Sequence, residues 1–217
     1  SQSGLTDGTY KFRATVTDSA GNSSTTPVQT VVVDTVTTAG TLSLSNFIDS
    51  GSSSSDKISN DKTFDLTISG QEAGTTVVYQ VSTDGGTSWT PTTASQSGLT
   101  DGTYKFRATV TDASGNSATT PVQTVTIDTA ITAGTISLSN FTDSGSNTTD
   151  NISNDNTFDL TISGQETGST VVYQISTDGG VTWTTTTANQ SSLTDGTYNF
   201  RATVTDASGN SATTPVQ

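Results

Sequence analysis

The chain has 217 residues with no Cys, His or Met, and it carries 20 Asp and Glu against 7 Lys and Arg, a formal charge of −13. Such a surface repels phosphate backbones and excludes nucleic acid as a partner, while the lack of Cys excludes disulfides, zinc–thiolate sites and thiol nucleophiles. No apolar run approaches the roughly 20 residues of a membrane span, so membrane insertion is not expected.

The motif LTDGTY begins at Leu5, Leu99 and Leu193, which are 94 residues apart. Asp34 and Asp128, Phe47 and Phe141, and Trp89 and Trp183 keep the same interval without insertion or deletion. The period exceeds the roughly 20–50 residues of a solenoid coil or propeller blade and suits one β domain of about 100 residues. Residues 1–33 therefore read as the C-terminal part of a preceding repeat, 34–127 as a complete repeat, and 128–217 as a repeat lacking its last few residues. The first piece is too small to build a core alone. With no initiator Met, and Ser1 falling inside the recurring pattern, the chain reads as a window of a longer polypeptide.

Taken in order, 40–47 (GTLSLSNF) alternates as a first strand and is followed by a long polar loop over 48–61. Strands are expected at 63–69 (TFDLTIS) and 75–82 (TTVVYQVS), joined by a QEAG turn. A hairpin at Asp84-Gly-Gly leads into TSWTPTT, and a short SQSGL segment follows. Residues 102–112 alternate most clearly, with Tyr104, Phe106, Ala108 and Val110 on one side and Lys105, Arg107, Thr109 and Thr111 on the other. An ASGN turn and residues 121–127 (PVQTVTI) complete about seven strands with no helical period. Tyr104 after LTDGT has the form of a tyrosine corner. The fold class is thus all-β, with tandem immunoglobulin-like β-sandwich domains on a 94-residue repeat.

STDGGTSW at 82–89 and STDGGVTW at 176–183 match the Asp-box turn of sialidases and related sugar-active propellers. Glycosidase chemistry needs a carboxylate pair in a pocket. The only Glu residues, Glu72 and Glu166, occupy equivalent places in two copies, and each copy has a single Arg, so no enzyme is expected. The Trp is read as apolar area for a thin core. The Thr-Val-Thr runs at 109–111 and 203–205 are explained by β propensity without ice binding.

Counting strand reversals gathers the carboxylates at two poles. The loop with Asp49, Asp56, Asn60 and Asp61, together with Asp101, lies at one end, and Glu72 with the turn from Asp112 to Asn116 at the other. At a junction of copies this sets Asp49, Asp56, Asp61 and Asp101 opposite Asp128, Glu166 and Asp206, with Asn60 and Asn210 adding amide oxygens. An all-oxygen set suits Ca²⁺. The candidate metal ligands are Asp34, Asp49, Asp56, Asn60, Asp61, Glu72, Asp112 and Asn116, with their repeats Asp128, Asp143, Asp150, Asn154, Asp155, Glu166, Asp206 and Asn210. The competing reading is that these are ordinary turn formers in solvated loops.

Asp128-Thr, the DSG…D.ISND.TF loop over 143–158, VTIDT over 125–129, and LTDGTY…ATVTDASGN over 193–210 together resemble bacterial Ig-like repeats of giant, calcium-binding surface adhesins of the type I-secreted, RTX kind. The resemblance covers the whole chain. It implies Asp128, Asp206 and Asn210 with the 49–61 loop as a calcium shell. It also implies an extracellular, bacterial cell-surface stalk with roles in cell adhesion and biofilm, whose partners are neighbouring repeats of the same chain. A host-cell or surface ligand would then be bound by another region. The linker starts Asp34-Thr-Val-Thr and Asp128-Thr-Ala-Ile lack the Pro often found there. The alternative is a multivalent, lectin-like module that stacks sugars on Trp89 and Trp183.

Overall fold

The computed structural model describes residues 1–217 and is built from twenty β-strands. They are β1 (Gly8–Phe12), β2 (Thr15–Thr17), β3 (Ser23–Thr25), β4 (Gln29–Val33), β5 (Thr41–Ser45), β6 (Ile58–Ser59), β7 (Phe64–Ser69), β8 (Thr76–Ser82), β9 (Thr90–Pro91) and β10 (Ser95–Gln96). There follow β11 (Gly102–Thr111), β12 (Ser117–Thr119), β13 (Gln123–Ile127), β14 (Thr135–Ser139), β15 (Phe158–Ser163), β16 (Thr170–Ser176), β17 (Thr184–Thr186), β18 (Asn189–Gln190), β19 (Asn199–Thr205) and β20 (Ser211–Thr213). The backbone groups into two compact units. One holds Ser1–Ser45, Asp65–Ser95 and Lys105–Gln123; the other holds Asn46–Phe64, Gln96–Tyr104 and Thr124–Gln217.

In the first unit, β1 pairs with β4 and β2 with β3 as separate two-stranded ribbons. No residue of 1–33 is buried, as expected of a piece too short for a core. β5 pairs antiparallel with β7, and β8 pairs with β11 in the register Arg107↔Gln80 and Val110↔Val77. The alternation read from the sequence holds: Phe106, Ala108 and Val110 are fully buried, as are Leu42 and Leu66 of the β5–β7 pair, while the residues between them on β11 are only partly buried.

The second unit contains a two-layer sandwich. A sheet in the order β14-β15-β18 faces another in the order β17-β16-β19-β20. Ile136, Phe158 and Leu160 from one layer meet Phe200 and Ala202 from the other. The Phe158 and Phe200 rings pack edge to face with centroids 5.7 Å apart. Thr214 Oγ1 accepts the buried Ala202 N–H, and Thr120 Oγ1 accepts that of Ala108, so the residue that follows β20 or β12 satisfies a core amide in both repeats.

The tyrosine corner forms three times. The Tyr10, Tyr104 and Tyr198 hydroxyls donate to the carbonyls of Thr6, Thr100 and Thr194 at 2.8–2.9 Å. Two strands of the complete repeat were not expected. β12 is three small residues (Ser117–Thr119) closing a hairpin on β11, and β6 is two residues inside the Ser-rich loop, held by parallel pairing with β13.

Candidate metal centres

Each linker start is fastened by local hydrogen bonds. Asn116 donates through Nδ2 to the Asp34 carbonyl at 3.0 Å and to Asp112 Oδ2 at 2.7 Å, and the Ser114 hydroxyl donates to Asp34 Oδ2. Asp112 Oδ1 takes the Ser114 and Asn116 amides, which defines the turn. Partial desolvation would raise the Asp112 pKa, but the Asn116 side chain and the turn amides outweigh it and hold the carboxyl below its ordinary value. The same constellation recurs 94 residues later. Asn210 donates to the Asp128 carbonyl and to Asp206 Oδ2, and Ser208 donates to Asp128 Oδ2.

This wiring brings three carboxylates together twice. Asp34, Glu72 and Asp112 offer oxygens all within 4.8 Å of one another, and Asp128, Glu166 and Asp206 do the same. Glu72 and Glu166 reach their groups because their amides bond to the linker carbonyls of Thr38 and Thr132. In 128–217 the only Lys or Arg is Arg201. Arg201 donates to Gln174 Oε1 and lies 4.2 Å over the Trp183 ring, so it is engaged away from the carboxylate group. Three hard oxygen ligands without Cys or His fit Ca²⁺, or Mg²⁺ with more retained water.

The remaining candidates lie elsewhere. Asp56 Oδ1 accepts Ile58 N–H and Asp61 Oδ1 accepts Thr63 N–H, each two residues on, while Asp61 Oδ2 caps Ile48 N–H. Asp150 and Asp155 repeat this at Ile152, Thr157 and Thr142. Asp49 and Asp143 each accept one loop amide through Oδ2, and in both the buried Oδ1 has no hydrogen-bond partner. Asn60 Oδ1 and Asn154 Oδ1 accept from the Ser50 and Ser144 hydroxyls. Asp101 receives Thr129 N–H and Oγ1–H, and Asp7 receives Thr35 Oγ1–H, so these two pin the linker threonines.

Within the second unit the 48–61 loop meets the Asp206 turn through neutral groups. Ser50 Oγ donates to Ser208 O, Asn60 Nδ2 donates to Asn210 Oδ1, and Gly51 lies directly against Ala207 O. That cover buries Asp206 (6% exposed) and Ser208 (1%), whose counterparts Asp112 and Ser114 are more open. Close backbone approach at a Gly was not a signal that the sequence reading used.

The Asp-box turns are structural. Asp84 and Asp178 accept the hydroxyls and amides of Ser88 and Thr182, and the Trp Nε1 donors close on Gly86 O and Gly180 O. Trp89 and Trp183 are half-buried and lie on the outer side of the β8–β11 and β16–β19 pairs, under Arg107 and Arg201 at 4.1 and 4.2 Å. Core placement of Trp was therefore mistaken. The inner face is already filled by Phe106, Ala108 and Val110, and the outward Arg offers the indole a cation–π partner.

Comparison with known proteins bears on the whole chain. No curated protein matches the sequence. The structure of a Ca²⁺-stabilised adhesin that helps an Antarctic bacterium reach out and bind ice is 22% identical, with 95% of this chain and 55% of that one covered and a TM-score of 0.38. A structure concerning host cell-surface retention of a 1.5-MDa bacterial ice-binding adhesin is 20% identical over 96% of this chain and 72% of that one, with a TM-score of 0.42. The FN1–FN3 domains of chicken CNTN1 are 6% identical over 95% and 75%, with a TM-score of 0.35. The chain thus spans about half the length of the first of these. The sequence profile of one family, described as bacterial Ig-like domain, matches residues 1–35, 36–129 and 130–217. The chain belongs to the bacterial Ig-like domain family.

Proposed function

We propose that the chain is a non-catalytic extender segment of a bacterial cell-surface adhesin, in which calcium at the linker starts stiffens successive Ig-like repeats. The repeats run over 34–127 and 128–217, with 1–33 closing a preceding one, and the segment holds a distal ligand-binding module away from the cell. One observation carries this reading: the three-carboxylate group recurs in register at Asp34/Glu72/Asp112 and Asp128/Glu166/Asp206. A surface meant only to be solvated has no need to converge its few Glu residues on linker carboxylates at each repeat.

Each group ties together the incoming linker (Asp34 or Asp128), the turn before β8 or β16 (Glu72 or Glu166), and the hairpin after β11 or β19 (Asp112 or Asp206). A divalent ion held there would neutralise the facing charges and fix the linker against its own repeat. The Asn116 and Asn210 bonds to linker carbonyls already hold the geometry. Extracellular modules bind calcium with Kd of about 10⁻⁴–10⁻³ M, so such sites fill outside a cell and stay empty at cytosolic calcium.

Isothermal titration of the chain with CaCl₂ tests the reading. Two sites are expected, one lost in Glu72→Gln and the other in Glu166→Gln. A chain that takes up no calcium at millimolar concentration would refute it.

A further inference from the structure

Asp128, Glu166 and Asp206 all belong to the linker start and the repeat that follows it, so an ion among them ties the linker to that repeat alone. The preceding repeat reaches this end of the second unit through its 48–61 loop, which contributes no carboxylate to the group. Its contacts with the 206–210 hairpin are made by backbone, hydroxyl and amide.

Two glycines let the segments meet. Gly51 (φ 97°) lies against Ala207 O, and a Cβ at Gly209 (φ 89°) would stand 2.9 Å from Gly51 N. Ser50 Oγ donates to Ser208 O at 2.5 Å and accepts Asn60 N–H at 3.1 Å, so the loop is folded around the hydroxyl that docks it. Ser208 turns its own hydroxyl to Asp128 Oδ2 at 3.3 Å. Asn210 is shared between loop and carboxylates. Its Oδ1 accepts Asn60 Nδ2 at 3.2 Å, while its Nδ2 donates to Asp206 Oδ2 at 2.8 Å and to the Asp128 carbonyl at 2.9 Å. An amide donates from one end only, so the bond from Asn60 fixes which end faces Asp206 and Asp128.

Docking also removes water from the hairpin, where Asp206 is 6% and Ser208 1% exposed. With less solvent around them, the three carboxylates repel one another more strongly when no cation is present and hold a divalent ion more strongly when one is. Docking and ion therefore favour each other. By linkage, whatever factor docking adds to ion affinity, the ion adds to docking.

We propose, resting on the reading that this group binds calcium, that the 48–61 loop is a latch between successive repeats. Its docking on the 206–210 hairpin raises the calcium affinity of the Asp128/Glu166/Asp206 group, and calcium in turn holds the latch shut. Ser50, Gly51 and Asn60 are positioning residues that act through Ser208 and Asn210. The ion fixes the linker to the repeat ahead, and the latch carries that restraint back to the repeat behind.

Isothermal titration with CaCl₂ in a Glu72→Gln background, which leaves the Asp128 group as the one complete carboxylate triad, reads the affinity. Adding Gly51→Ala should weaken binding at least about tenfold. Ser50→Ala, which removes one hydroxyl without crowding the backbone, should weaken it about fivefold. Gly145→Ala, with the same positive φ but open space around it, should leave it unchanged. Hydrogen exchange over residues 48–61 supplies a second readout that a local packing defect would not reproduce. Calcium should slow exchange there in the Glu72→Gln protein, and should leave it unaltered once Gly51→Ala or Glu166→Gln is added. Equal calcium affinity with and without Gly51→Ala and Ser50→Ala, or loop exchange indifferent to calcium, would overturn the latch while the calcium reading stands. A Glu72→Gln protein that takes up no calcium would overturn the calcium reading and the latch with it.

Discussion

The substitution Glu166→Gln gives calcium binding and charge repulsion opposite signs in one experiment. Asp128, Glu166 and Asp206 offer oxygens within 4.8 Å of one another, where two unit charges repel by about 0.9 kcal/mol in water and about 3.5 kcal/mol at an effective dielectric of 20. Glu166 belongs to two of the three pairs and is partly exposed, so the water value is the appropriate one, reduced by screening. In EDTA the variant should therefore be more stable than the parent by about 1–2 kcal/mol, a rise in melting temperature on the order of 5–10 °C for one repeat. At calcium a hundredfold above Kd the parent gains about 2.7 kcal/mol, and a variant that has lost a charged ligand gains much less. The order of melting temperatures should then invert. Calorimetry of both proteins in EDTA and in calcium reads this, and a variant that melts at or below the parent in EDTA would refute the charge-cluster reasoning.

Other outcomes follow from particular contacts. A Cβ at Gly51 would overlap Ala207 O and crowd Gly209 N, whereas at Gly145, which shares a positive φ, it would meet nothing; Gly51→Ala should cost about 2 kcal/mol more than Gly145→Ala in thermal unfolding. Thr120→Val keeps the shape but leaves the buried Ala108 N–H without its acceptor, for a loss of about 1–3 kcal/mol by urea denaturation. The Thr182 hydroxyl and amide and the Ser176 hydroxyl hold the Asp178 carboxyl down to about 2. With the folded value below the unfolded one of about 3.9, its contribution is whole above that pH and is lost as pH falls toward 2. Melting curves of Asp178→Asn should accordingly show a flatter acid dependence over that window than the parent.

The strands that carry the core were legible because their own sequence alternates. Tyr104, Phe106, Ala108 and Val110 announce an inner face without help from the rest of the chain. β6 and β12 were not legible. Ser59 is fully buried in a Ser-rich loop only because β13, some 65 residues on, pairs beside it, and Ser117–Thr119 contains no large apolar residue. Trp89 and Trp183 were misplaced because apolar area alone does not tell inner face from outer; the Arg one strand away settles it.

The candidate site was half legible. The sequence offered sixteen oxygen-bearing residues at the poles, and folding converges six of them as carboxylate groups. Asp56, Asp61, Asp150 and Asp155 are occupied by amides two residues ahead, a local Asx-turn habit that the D-x-I and D-x-T spacings display. Glu72 and Glu166, by contrast, reach their groups through linker hydrogen bonds that no local spacing reveals.

The central claim is that calcium stiffens the linkage between repeats. Small-angle scattering of the chain at low concentration, in CaCl₂ and in EDTA with a MgCl₂ control, tests it most directly. The account predicts a longer maximum dimension and a narrower distribution of dimensions in calcium, with Glu72→Gln/Glu166→Gln indifferent to the ion. Superimposable profiles in calcium and EDTA would contradict it.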